Sequence, residues 1–209
     1  MTIDERIGKI MRKMEKLSAK HPKFSCGKFP PEWYEPLADK AVKEYELQNQ
    51  ITLPEDYRRF ITTVASCGTQ PFYGLYSLGE GPKNELKAAV NKKFPYTIRK
   101  PLCVAELSDE EYDALFESEE LEADAGYVPL CHEGCGMYSI LIVNSDDEDT
   151  YGTVWFYDLC NDAGVYPLID PVSRNTMSFL DWLEYYVDKT LGLNDSDYFS
   201  YGELAGVIK

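Results

Sequence analysis

The stretch from Gly126 to Asp158, GYVPLCHEGCGMYSILIVNSDDEDTYGTVWFYD, constrains the fold more than any other part of the chain. It reads as a short strand, a glycine-rich turn and then a β-hairpin. Met137 to Val143 is an apolar run rich in β-branched and aromatic residues, long enough for one strand, and Gly152 to Tyr157 supplies the next. Runs of this kind bounded by Gly, Asn, Ser and Asp signal strand, loop and strand. The connection carries the acidic run Asp146, Asp147, Glu148 and Asp149. The apolar strands are expected to organise the core, and the acidic loop points towards function.

The rest of the chain supplies mostly helices. Thr2 and Glu5 form a T-x-x-E capping box at the start of a helix expected over residues 2–20. Ile3, Ile7, Ile10, Met14 and Leu17 recur at helical spacing, and Arg6, Lys9, Arg12, Lys13 and Lys16 occupy the other faces. Such a basic amphipathic helix can bind anionic lipid or a partner; the plainer reading is a terminal helix packed on its own domain. A second helix is expected over Pro36–Gln48, with Pro36 in its first turn. A third begins at Pro54, buries Tyr57, Phe60, Ile61 and Val64, and stops at Gly68. Tyr73–Leu78 reads as a short strand interrupted by Gly74, and Lys83–Lys93 as a short helix. Ser108 and Glu111 cap a helix over Ser108–Leu121 whose buried stripe would be Tyr112, Leu115 and Phe116. Gly164–Ile169 is a further strand. Ser178 and Asp181 open the last helix, with Phe179, Trp182, Leu183, Tyr186 and Val187 inward and Gly192 as its stop.

At 209 residues the chain suits one domain with a sizeable core. No apolar run approaches the roughly 18 residues of a membrane span. The N-terminus lacks the continuous apolar segment of a secretory signal. Six scattered cysteines suggest reduced thiols in a cytoplasm. The net charge is −15, and it is segregated: residues 101–173 hold 18 Asp and Glu and no Lys or Arg. Residues 1–100 hold 18 Lys and Arg against 12 Asp and Glu. An acidic field of this kind repels nucleic acid and anionic membrane and attracts a basic partner.

Little catalytic chemistry is on offer. Cys131, His132 and Cys135 lack the second pair of ligands a zinc site needs, and adjacent Cys131 and His132 are poorly placed to share one ion. A Cys131–His132 nucleophilic pair is the best remaining enzymatic reading. The acidic run lacks the alternating spacing of a calcium loop. No P-loop, dinucleotide fingerprint or nucleophile elbow is present. Neither a metal nor a cofactor nor a catalytic residue is expected.

Several motifs in order resemble one family. Leu53, Pro54, Tyr57 and Gly68 match a Leu-Pro-x-x-Tyr helix with its stop. Gly74, Leu75 and Tyr76 follow, then Gly134 and Gly136, then Gly152, Val154 and Trp155. Ser178, Phe179, Trp182 and Leu183 close the pattern. Residues 36–191 thus resemble the SUKH superfamily of the Smi/Knr type, with 1–35 as an N-terminal extension and 192–209 as a tail. The resemblance implies an α+β fold, helices on a strongly curved, mainly antiparallel sheet. It also implies a non-enzymatic binding module. Bacterial members are similar to cytoplasmic immunity proteins that neutralise toxins, often nucleases; fungal members resemble intracellular regulators of cell-wall synthesis. The acidic segment then favours a basic toxin, such as a nuclease domain, as cognate partner. The candidate partner-binding residues are Glu117, Glu119, Glu120 and Glu122, the loop Asp146, Asp147, Glu148 and Asp149, and Tyr151 as an aromatic anchor. In the regulator reading, the basic N-terminal helix would be a second docking surface.

Overall fold

In the hairpin, residues alternate between two faces that are both apolar. A computed structural model describes residues 1–17, 27–82, 86, 88–117, 123–193 and 201–208. Strands β1 (Leu102–Cys103), β2 (Tyr127–Gly134), β3 (Met137–Ile142), β4 (Val154–Asp158) and β5 (Gly164–Pro167) form one antiparallel sheet in the order β1-β5-β4-β3-β2. On β3, Tyr138, Ile140 and Ile142 enter one core and Leu141 the other; on β4, Trp155 and Tyr157 oppose Val154 and Phe156. Burial on both sides is why these strands read as continuous apolar runs rather than alternating ones. The turn from β2 to β3 passes through Gly134, Cys135 and Gly136, all at positive φ. A Cβ on Gly136 would lie 2.7 Å from Cys160 Cβ and Sγ, so the residue has to be glycine.

The first face is covered by helices α1 (Ile3–Met14), α2 (Asp39–Asn49), α3 (Glu55–Thr63) and α5 (Phe179–Thr190). Both expected capping boxes form there: Glu5 N–H donates to Thr2 and Asp181 N–H to Ser178, each with the reciprocal bond. Ile7, Ile10, Met14 and Leu17 are buried, as the stripe predicts, but the helix stops at Met14. Residues 18–26 lie outside the described set. α2 starts later than expected, at Asp39, because Leu37 N–H donates to the Ile61 carbonyl of α3 instead of entering a first turn at Pro36. α3 takes Pro54 as its N-cap, ends at Thr63 and buries Tyr57, Phe60 and Ile61, with Val64 half-buried. Gly68 lies beyond it, in an isolated bridge to Leu75.

Irregular chain covers the second face. Leu86, Phe94, Ile98, Leu102 and Val104 pack on Tyr138, Ile140, Trp155 and Val165. Over Lys83–Lys93, where a helix is expected, residues 86 and 88–93 contain none; 83–85 and 87 lie outside the described residues. Ala89 instead bridges Ala125. Over Tyr73–Leu78 the expected strand shrinks to single-residue bridges through Leu75, to Gly68 and Cys131. The cause is a tight turn, Gly74 N–H to Pro71 O, with Gly74 at φ +116°. Helix α4 (Asp109–Glu117) has the expected Ser108–Glu111 box, yet none of its residues is buried. Beyond α5, Tyr201 and Leu204 fold back into the first core through a 3-10 turn, Tyr201–Leu204, and are no loose tail.

Candidate protein-binding surface

Folding pairs the basic N-terminal helix with acids near the other end of the chain. The basic face of α1 lies on the acidic face of α5. Arg6 reaches Asp181 at 2.6 Å and Glu184 at 3.2 Å; Lys9 and Lys13 reach Glu184 at 3.0 and 2.9 Å; Lys13 reaches Asp188 at 2.6 Å. Burial opposes ionisation of Glu184, but hydrogen bonds from Lys13, Lys9 and Arg6 outweigh it and hold its carboxyl at about 2. The N-terminal helix thus packs on its own domain through Arg6, Lys9 and Lys13, while Arg12 and Lys16 stay exposed. Arg59 grips Asp4 of α1 through two bonds of 2.6 and 2.8 Å. A cavity of about 290 Å³ borders this network, lined by Arg6, Asp181, Glu184 and Asp188, whose charges already pair with one another or with Lys13.

The acidic loop is partly matched in the same way. Lys93 pairs with Asp146 at 3.0 Å, and Phe94 N–H and Ile98 N–H tie the 92–100 segment to Asn144 O and Thr150 Oγ1. That segment carries exposed Lys92, Lys93, Arg99 and Lys100 beside the loop. Asp147 is half-buried and accepts from Thr150 Oγ1, so it shapes the turn. Glu148 and Asp149 are exposed. Tyr151 is 37% exposed, and its hydroxyl donates to Thr52 O at 2.9 Å, which anchors the loop to the α2–α3 connection.

Helix α4 is different. Asp109, Glu110, Asp113 and Glu117 are exposed, and among the described residues no Lys or Arg pairs with any of them. Asp109, Asp113 and Glu117 stand at i, i+4 and i+8, a ridge of like charges that repel one another. Tyr112 and Phe116, expected inside, are 39% and 38% exposed. Their rings meet at 4.7 Å, and Tyr112 OH donates to Asp162 at 3.1 Å. Of its described side chains Leu115 packs against the second core, and among the described residues no element covers Tyr112 and Phe116. Helix α4 and the acidic loop sit by different ends of β4: Tyr112 reaches Asp162, just past its end, whereas the acidic loop lies before its start. Glu119, Glu120 and Glu122 lie outside the described residues. The exposed aromatic pair was missed in the sequence because two rings at i and i+4 beside a leucine look like any buried stripe.

The model of the SMI1/KNR4 family (SUKH-1) matches residues 36–184, from the segment before α2 into α5. The chain belongs to the SMI1/KNR4 family. No curated protein and no solved structure gives a significant match. The match contains the whole sheet and α4, while α1 and the 3-10 turn at Tyr201 lie beyond it and pack on the SUKH core. The family is one of binding modules, immunity proteins and cell-wall regulators among them. Among the described residues, no helix is long and apolar enough to cross a membrane.

Within this SUKH sheet, the CHEGC segment is part of strand β2 up to Gly134 rather than an extended turn. A bulge between Pro129 and Cys131 turns both Leu130 and Cys131 into the first core. His132 points to the other face, stacked between Tyr73 and Tyr138 at 5.3 and 4.9 Å. Cys131 and His132 therefore diverge and do not form a nucleophilic pair, and burial pushes the Cys131 thiol well up. Glu133 follows Cys131 into the core. Ser139 Oγ donates to it at 2.7 Å and Tyr201 N–H at 3.2 Å, while Trp182 Nε1 donates to Ser139 Oγ at 3.2 Å. Desolvation pushes the Glu133 carboxyl up to about 7, against those two hydrogen bonds and with the help of nearby Asp158. The period of two from Cys131 was the available signal for this buried acid.

Proposed function

We propose that this SUKH module is a cytoplasmic immunity-type inhibitor that neutralises a cognate toxin by binding it, without catalysis. The single observation that carries this reading is α4, which presents exposed Asp109, Glu110, Asp113 and Glu117 on one short helix with no described Lys or Arg paired to any of them. An acidic surface suits the basic groove in which a nuclease holds phosphates, and it accelerates encounter through electrostatic steering. The partner is therefore a basic toxin domain of the nuclease kind. The proposed contact set is Glu117, Glu119, Glu120 and Glu122, with Asp146, Asp147, Glu148, Asp149 and Tyr151 as a second, partly neutralised patch. Nucleic acid and anionic membrane are disfavoured as partners by the net charge of −15.

The alternative, a regulator of the cell-wall type, relied on the basic N-terminal helix as a dock. Arg6, Lys9 and Lys13 of that helix are engaged by Asp181, Glu184 and Asp188, which leaves exposed Arg12 and Lys16 as the narrower support for such a dock. Co-expression tests the reading directly. Toxin modules encoded beside this gene should lose their lethality when the protein is present; equal killing with and without it rejects the immunity reading for those toxins.

A further inference from the structure

The ridge on α4 sets like charges beside exposed aromatic rings on one helix. Asp109, Asp113 and Glu117 repel one another along the helix. No Lys or Arg stands between Asp109 and Glu117. Tyr112 and Phe116 occupy the adjoining ridge, one step round the helix from the carboxylates, with more than a third of each ring in water. Carboxylates and aromatic faces side by side match one side chain better than any other. A guanidinium donates a bidentate pair of hydrogen bonds to a carboxylate and stacks its plane on a ring, whereas an ammonium offers only a compact, strongly hydrated charge.

We infer that the outer face of α4, with Tyr112 and Phe116 flanked by Asp109, Asp113 and Glu117, is a docking surface for an arginine-rich segment of a partner protein. This deepens the immunity reading and rests on it for the partner's identity, although the surface chemistry is tested without it. Arginine binding relieves the repulsion within the ridge and covers both rings in one step. The loop Asp146–Asp149 is a poorer dock, because Lys93 pairs with it and Arg99 and Lys100 lie on the segment packed beside it.

The test uses the full chain and two short synthetic peptides of equal length and charge, one alternating arginine and glycine, the other lysine and glycine. Titration calorimetry at ~0.15 M salt, where weak surface attraction is screened, should show the arginine peptide binding more tightly. Hydrogen exchange should show its protection on α4. Y112A/F116A, and separately D113N/E117Q, should weaken the arginine peptide by about tenfold or more, as for hot-spot anchors, while E15Q/E55Q, at exposed carboxylates beside α1 and on α3, changes it by less than about twofold. None of these side chains is buried, and unchanged thermal melting will confirm that the variants fold. Equal affinity for both peptides, or full binding by the α4 variants, overturns the inference. The same variants in the co-expression assay separate the two ideas. If the parent protects and Y112A/F116A protects equally, the α4 surface is wrong and the immunity reading stands. If the parent fails to protect yet the peptide is held on α4, the immunity reading is wrong and the surface stands.

Discussion

Replacing Glu133 by Gln should stabilise this protein at neutral and alkaline pH and leave it nearly unchanged in mild acid. Glu133 is 7% exposed, and its carboxyl is raised from 4.5 to about 7. The folded state therefore holds this proton more tightly than the unfolded chain does. Stability falls as pH rises from about 4.5 towards 7, because the unfolded chain releases the proton first, and it levels off above that. That rise corresponds to roughly 3 kcal/mol between the two plateaus. Glutamine stands in for the protonated acid: it keeps an acceptor for Tyr201 N–H and a polar contact to Ser139. The variant should match the parent near pH 4.5 and exceed it by up to roughly 3 kcal/mol near pH 8. Urea unfolding of both proteins across that range gives the difference, in which the titration of all other groups cancels. Parallel pH–stability curves would show that Glu133 is ionised at no cost, and a variant less stable than the parent at pH 8 would refute the argument.

Two further predictions concern the frame around the proposed surface. Glu184→Gln removes the common partner of Arg6, Lys9 and Lys13; after discounting for solvent around this network, it should cost about 1–2 kcal/mol. Because the Glu184 pKa is depressed to about 2, that contribution is present above about pH 4.5 and is lost as pH falls towards 2, which acid titration of thermal stability in parent and variant will reveal. Gly136→Ala forces a side chain into a φ of +77° with its Cβ 2.7 Å from Cys160 Cβ and Sγ; chemical denaturation should show a loss of about 1–3 kcal/mol. An alanine tolerated without cost would mean that the β2–β3 turn relaxes freely.

Sequence by itself determined what depends on neighbours a few residues apart. Thr2 with Glu5, Ser108 with Glu111 and Ser178 with Asp181 mark helix starts because each capping box closes over three residues. The strands from Met137 and Val154 were legible because burial on both faces demands unbroken apolar runs. The order of motifs identified the SUKH module. Tertiary structure decided which charges remain available. Arg6 and Asp181 lie 175 residues apart, and Lys13 and Glu184 lie 171 apart, so no local pattern reveals their pairing. It also decided that Tyr112 and Phe116 stay in water, since a helical stripe records spacing but not whether another element arrives to cover it. The bulge after Pro129 sent Glu133 into the core, a choice made by strand pairing rather than by propensity. The acidic half of the chain thus became two unequal surfaces, because electrostatic neutralisation depends on distance in space: the hairpin loop folds beside the cations of residues 92–100, whereas no described cation pairs with α4.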